Sequence, residues 1–297
     1  MSIVMRKQNF LHSFIFAFVL FANLTILCRG ADASIQEIKL PNGFLATADY
    51  RIGKAELPTI VVLHGFLSTR NFLTVSNLVE SLANESYTVL APNLSLGVNL
   101  RQASLACEAI HTHSIDDDVA EIKVWIDWLI ARGHTNIVLV GHSYGSLHGL
   151  LYVLENDQPA IKKLIAASLV DVDHAIDSNL AVSQIKMAKA MVSMHDNSLK
   201  PYHVSYCKKY VTPPKAFLSY ASWSRKKILN AISQIKIPVE VILGSEDKRM
   251  GEDWPTLLKN NGVTVKVIKG ANHFFYNEQE FDLLDVVLSM LRTTPQI

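Results

Sequence analysis

The sequence predicts an α/β protein, a three-layer α/β/α sandwich with a mostly parallel central sheet and a helical cap insertion. Two observations carry this. Short continuous apolar, β-branched runs recur along the chain, as expected of strands buried on both faces. Between them lie longer segments of helical period, and this alternation implies crossover connections in a parallel sheet. A third observation sets the cap: residues 172–235 break the alternation with a polar, mostly helical stretch interrupted by Pro201 and Pro213-Pro214. That is too long for a structureless loop inside a domain.

Taken in order, residues 1–33 carry Arg6 and Lys7, a nearly uncharged run from Phe10 to Leu27, and the small residues Ala31 and Ala33. This pattern reads as a secretory signal peptide, and hence as an exported protein, periplasmic or secreted. An uncleaved membrane anchor is the alternative, because the apolar run is long for a signal core. Residues 34–53 hold two short segments divided by Pro41-Asn42-Gly43, a hairpin signal. Residues 59–65 (TIVVLHG) are a buried strand, Ser68 or Thr69 is placed to cap a helix to about residue 84, and 87–93 (YTVLAPN) are the next strand.

Apolar residues at 115, 119, 122, 126 and 129 give a helical period, with acidic residues at its start and Gly133 after its end. The strand 136–142, a helix after Ser143, and the strands 162–170, 239–244 and 263–270 follow, with a final helix in EQEFDLLDVVLSML. The core domain is thus expected over 34–297, with 172–235 inserted as the cap. With 28 Lys and Arg against 27 Asp and Glu, the net charge is close to zero and no basic stripe appears, so nucleic-acid binding has little electrostatic support.

The chemistry centres on GHSYG, residues 141–145, between a buried strand and a helix. A serine hydroxyl needs exposure, position and a base to become a nucleophile. A tight strand-to-helix turn supplies the exposure, and its crowded backbone requires glycine on either side of Ser143. Upstream, His64-Gly65-Phe66 ends another strand. The backbone N–H groups of Phe66 and Tyr144 are the candidate pair of oxyanion donors. Asp247 and His273 each follow a later buried strand, so both fall at the sheet edge that carries Ser143. His273 is the candidate base and Asp247 its orienting acid.

These motifs, His64-Gly65-Phe66, Gly141-x-Ser143-x-Gly145, Gly244-x-x-Asp247 and His273-Phe274, stand in the order found in the α/β-hydrolase superfamily, which the chain resembles over residues 34–292. The resemblance implies hydrolysis of a carboxylic ester, thioester or related acyl bond through an acyl-serine, without a cofactor, in the manner of esterases and lipases. Acyl transfer or peptide cleavage by the same groups is an alternative, as is a non-catalytic binding protein that kept the fold. A serine at the elbow sets the chain apart from the branches that use aspartate there. The Asp-x-x-Gly-His-Gly segment of many members is missing after APNLSLG.

Glu246, Asp171 and Asp173 compete with Asp247 for the acid. His142 is expected to face away from the nucleophile, and His148 to be a buried or interfacial side chain. Cys107, His111 and His113 have ligand-like spacing, but a polar loop beneath the cap is the preferred reading and no metal is assigned. Cys107 and Cys207 are free to pair in an oxidising compartment. Met187, Met191, Met194, Tyr202, Tyr206, Tyr210, Phe217 and Trp223 either line an acyl pocket or hold the cap in place. Asn84 and Asn93 head glycosylation sequons. The expected partner is a small-molecule or lipid-like acyl substrate; membrane contact is expected only through the N-terminal segment, and the oligomeric state is left open.

Overall fold

A computed structural model describes residues 33–175 and 177–293. The leader read over 1–33 lies outside the described residues except for Ala33, which opens the first strand. The elements begin with β1 (Ala33–Lys39), β2 (Leu45–Arg51), β3 (Thr59–Leu63), α1 (Leu73–Asn84) and β4 (Thr88–Asn93). Then come α2 (Ile115–Ile130), β5 (Ile137–His142), α3 (Tyr144–Glu155) and β6 (Ile161–Ala167). The insertion holds α4 (Val172–Ala175), α5 (Ser178–Ser193), β7 (Lys200–Val204), β8 (Cys207–Thr212), α6 (Pro214–Ala221) and α7 (Arg225–Gln234). The chain closes with β9 (Val239–Gly244), α8 (Trp254–Asn260), β10 (Thr264–Ile268) and α9 (Gln279–Arg292).

Eight strands form one sheet in the order β1-β2-β4-β3-β5-β6-β9-β10. β1 and β2 form an antiparallel hairpin, and β2 also meets β4 antiparallel, whereas the pairs from β4 to β10 are parallel. Side chains alternate between two buried layers, as the pleat requires. Val61, Leu63, Leu90, Leu139, Leu164 and Val241 pack with residues of α2, α3 and α7, including Trp125, Leu147 and Ile228. Ile60, Val62, Val89, Val138, Ile165 and Ile242 pack on the other face with Val75, Leu82, Leu283 and Val287 of α1 and α9. The edge strand β1 alternates exposed and half-buried residues, consistent with a strand covered on one side only.

Local chemistry explains the boundaries. Ser114 accepts from the Asp117 amide, and the Asp117 carboxylate returns a bond to the Ser114 amide, a complete capping box for α2. The first helix corrects the sequence reading. Thr69 accepts from Asn71 in a turn, and α1 begins only at Leu73, with Phe72 before it and no side-chain cap. The insertion also departs from an all-helical cap, because β7 and β8 pair as an antiparallel hairpin. A disulfide joins Cys107, in the loop after β4, to Cys207 at the start of β8. Of the two sequons, Asn84 is exposed, whereas the Asn93 side chain is buried and bonded to Arg70 and the Arg101 carbonyl.

Candidate active site

β5 ends at His142, and the next residue turns sharply. Ser143 has φ 57° and ψ −123°, outside the regions an L-residue favours, before α3 starts at Tyr144. The flanking glycines make this turn sterically possible. A Cβ on Gly141 would sit 2.3 Å from the Gly145 carbonyl oxygen, and one on Gly145 would sit 2.3 Å from that of Leu63. The sequence pattern is therefore a statement about backbone contact between β3, β5 and α3. The Ser143 amide is held by the Ala167 carbonyl at 2.9 Å, which ties the turn to β6.

The loops after β9 and β10 bring their side chains to the same point. Ser143 Oγ donates to His273 Nε2 at 2.9 Å, and His273 Nδ1 donates to Asp247 Oδ2 at 2.8 Å. Asp247 Oδ1 accepts from the Arg249 amide at 2.9 Å. Burial pushes the Asp247 carboxyl up, but the bonds and charges of His273 and Arg249 outweigh it and hold the group below the usual carboxylate range. The three residues are 7%, 7% and 6% exposed, so they are almost dry yet reach the cavity in front of them. His142 points the other way. Its Nε2 donates to the His273 carbonyl at 2.9 Å, where Ser168 Oγ also donates. Burial, with the neighbouring His273, pushes His142 down to about 3, so it is a neutral strut.

The loop after β3 lies against Ser143. A Cβ on Gly65 would come within 3.2 Å of Ser143 Cβ, so glycine lets this backbone approach. The backbone amides of Phe66 and Tyr144 donate to no protein group among the described residues. His64 fixes the loop from below. Its Nδ1 donates to the Gly65 carbonyl at 2.9 Å, while Nε2 accepts from the Leu94 amide at 3.1 Å and from Arg101 at 3.2 Å. Burial, reinforced by the Arg101 guanidinium, pushes His64 down to about 3. Arg101 occupies the loop where the sequence lacks the superfamily's charged segment, and it also binds the Leu94 and Ala103 carbonyls. Sequence reasoning missed Arg101 and Ser168, since no local pattern marks either.

The cavity at Ser143 has a volume of about 220 Å³ and is bounded by Tyr144, Val170, Asp171, Tyr206, Arg249 and His273, among others. Of the rival acids, Asp171 reaches this wall but both its oxygens take Arg225, at 2.7 and 2.6 Å, and one also takes the Gly251 amide. Asp173 accepts from the Arg225 amide, and Glu246 is exposed.

Of the cap residues singled out, Tyr206 alone lines the cavity, and its hydroxyl donates to the Phe66 carbonyl at 3.2 Å. Tyr202 instead stacks on Phe217 and Tyr210 on His111, while Met187 and Met194 are exposed. Cys107 is in the disulfide, and His113 packs edge-on to Tyr220 rather than joining it in a ligand set. His148 is buried with its Nε2 3.4 Å from Asp118, remote in role from Ser143.

Comparison with known proteins agrees with the fold. The sequence profile of the alpha/beta hydrolase fold matches residues 58–191. Comparison with curated proteins by sequence finds no match. Among solved structures, the alpha/beta hydrolase GrgF from Penicillium sp. sh18 superposes with a TM-score of 0.67 at 13% identity, over 88% of this chain and 98% of that one. Est1E from Butyrivibrio proteoclasticus gives 0.59 at 14%, over 88% and 99%. The Pyrococcus furiosus esterase Pf2001 gives 0.63 at 18%, over 89% and 92%. Profile and sheet order agree: the chain has the alpha/beta hydrolase fold.

Proposed function

We propose that the protein is a serine hydrolase that cleaves a carboxylic ester or related acyl bond through an acyl-serine. The observation that carries this is the unbroken Ser143–His273–Asp247 hydrogen-bond chain opening onto a cavity beside two unpartnered backbone amides. In the first step His273 Nε2 takes the Ser143 proton as Oγ attacks the acyl carbonyl. The developing oxyanion is received by the Phe66 and Tyr144 N–H groups. His273 then gives its proton to the leaving alkoxide or thiolate, and the acyl group stays on Ser143. Water, deprotonated by His273, releases the acid in the second half. Asp247 keeps the imidazole in the Nδ1–H tautomer and stabilises its cation.

The esterase neighbours support the ester reading through fold alone, since each is below a fifth identical. Fluorophosphonate labelling of the purified protein, located by peptide mass spectrometry, tests the proposal. Label on Ser143 that is lost in Ser143→Ala and falls sharply in His273→Ala supports it. A folded protein that takes no label refutes it and favours a binding role. A chain-length panel of esters and thioesters then separates acyl classes.

We also propose that the protein is exported. The leader-like residues 1–33 support this, as does the Cys107–Cys207 disulfide, a bond suited to an oxidising compartment. Mass spectrometry of the protein from its native cell fraction, reading the N-terminus and the thiols, checks both.

A further inference from the structure

Beyond the triad, the wall of the Ser143 cavity carries cationic side chains that no ion pair among the described residues takes up. Besides the triad, its charged lining residues are Asp171, Lys248 and Arg249. The Asp171 side chain is 0% exposed and its two oxygens are covered by Arg225 and the Gly251 amide, so it offers a ligand no negative charge. Lys248 and Arg249 are exposed and, among the described residues, form no ion pair.

Arg249 is nonetheless held in place. Its backbone amide is fixed by Asp247, and its guanidinium lies 4.6 Å from the Phe274 ring centroid and 5.6 Å from that of Tyr206. Both rings belong to the site: Phe274 follows the base, and Tyr206 donates to the oxyanion loop. A guanidinium lying near aromatic faces keeps its edge donors free for a carboxylate or phosphate, which it binds in fork geometry.

We infer that the site accepts an acyl substrate carrying an anionic oxygen group, a carboxylate or a phosphate ester, close to the scissile carbonyl. Arg249 is its principal counter-charge and Lys248 its second. The inference rests on the reading of Ser143 as nucleophile and narrows its substrate class. It separates the role of Arg249 toward a ligand from its electrostatic support of Asp247, because the latter acts equally on charged and neutral substrates.

Two matched pairs test it: mono-p-nitrophenyl glutarate against its methyl-capped neutral diester, and 1-butyrylglycerol 3-phosphate against 1-butyrylglycerol. The first places the anion on the acyl side, the second on the alcohol side. In at least one pair, the anionic member is expected to have a kcat/KM roughly tenfold higher at low salt, a preference that shrinks toward about 0.5 M salt. That ratio falls at least about fivefold in Arg249→Ala, less in Lys248→Ala, and is partly restored in Arg249→Lys.

A ratio at or below one in both pairs, or one unchanged in Arg249→Ala, overturns the inference while leaving the hydrolase reading intact. A binding arm stands apart from turnover. Calorimetric titration of Ser143→Ala with monomethyl glutarate and with glycerol 3-phosphate should show binding of at least one, about tenfold weaker when Arg249→Ala is added. If no ester is turned over, the nucleophile reading fails. The titration still decides the anion site, and absence of binding overturns it.

Discussion

At the sheet edge, Ser143 stands where the backbones of β3, β5 and α3 come so close that one methyl group does not fit on Gly145. In the insertion, α5 is sixteen residues long and buries only Ala188 and Met191. The first region is held by main-chain contact and strands buried throughout. The second is held through side chains: the Cys107–Cys207 bond, the Arg225–Asp171 pair, and buried residues of its later elements such as Tyr210, Phe217 and Ile228, which join the core under the sheet. Ser143 thus has almost no freedom, while α5 lies over the fold with little of its own surface buried. Tyr206 joins the two regions, since it belongs to the insertion and bonds the loop after β3.

The largest effect expected is chemical and confined to the edge. Ser143→Ala or His273→Ala should lower kcat by about 10⁵- to 10⁶-fold, and Asp247→Asn by about 10⁴-fold, with unchanged melting temperatures. Steady-state kinetics beside calorimetry measure both. A large loss of stability in Ser143→Ala would mean that the elbow serves the fold instead. Gly145→Ala sharpens the contrast from the other side. With its new methyl against the Leu63 carbonyl, it should cost roughly 3–5 kcal/mol in denaturant unfolding. Gly133→Ala has open space and only its positive φ against it, and should cost about 1 kcal/mol.

In the insertion, loss of the disulfide by Cys107→Ser with Cys207→Ser should cost about 2–5 kcal/mol, because it closes a separation of 100 residues. If the sheet edge is independent of it, fluorophosphonate labelling of Ser143 survives at a temperature where the double variant stays folded.

Acid tests the edge through its neutral struts. His64 and His142 are held near 3 in the fold against an ordinary value of 6.5, so only the unfolded chain gains those protons as pH falls from 6.5 toward 3. Their stabilisation is complete above 6.5 and is lost as pH drops through that window. Glu121, pushed up by burial to about 7, works in the opposite sense between 7 and its ordinary 4.5. His142→Asn should therefore flatten the acid limb of stability by about 1.4 kcal/mol per pH unit, one proton's share. Urea titrations at several pH values measure it, and an unchanged slope would mean that His142 is charged in the fold. The smallest effect belongs to the link itself. Tyr206→Phe removes one hydroxyl bond and should change stability by about 0.5–1.5 kcal/mol, with kcat lowered a few-fold.

The same division decides what could be read from the sequence. Buried parallel strands must be apolar on both faces, so TIVVL and IVLVGH announce themselves. The elbow needs its glycines, and a carboxylate and a histidine just past successive strands must share one edge. The β7–β8 hairpin was hidden because neither strand is a continuous apolar run: Lys200, Lys208 and Lys209 face water while Tyr202 and Tyr210 pack inward. Thr69 looked like a helix cap because nothing local distinguishes it from a turn residue. Arg101 under His64, and Arg249 against Phe274, depend on which loops meet, and sequence spacing does not encode that.

The Cys107–Cys207 bond also divides the Ser143–His273–Asp247 chain between two parts of the covalent structure. Ser143 lies within the ring it closes, whereas Asp247 and His273 lie beyond it. A protease cutting α5 at exposed Lys186 or Lys189 would leave one fragment with Ser143 and another with His273 and Asp247. Because the cut falls inside the ring, the two remain a single molecule that migrates intact until a reductant is added. A nicked preparation would thus keep its parts tethered, and its survival would become a matter of redox conditions rather than of cleavage.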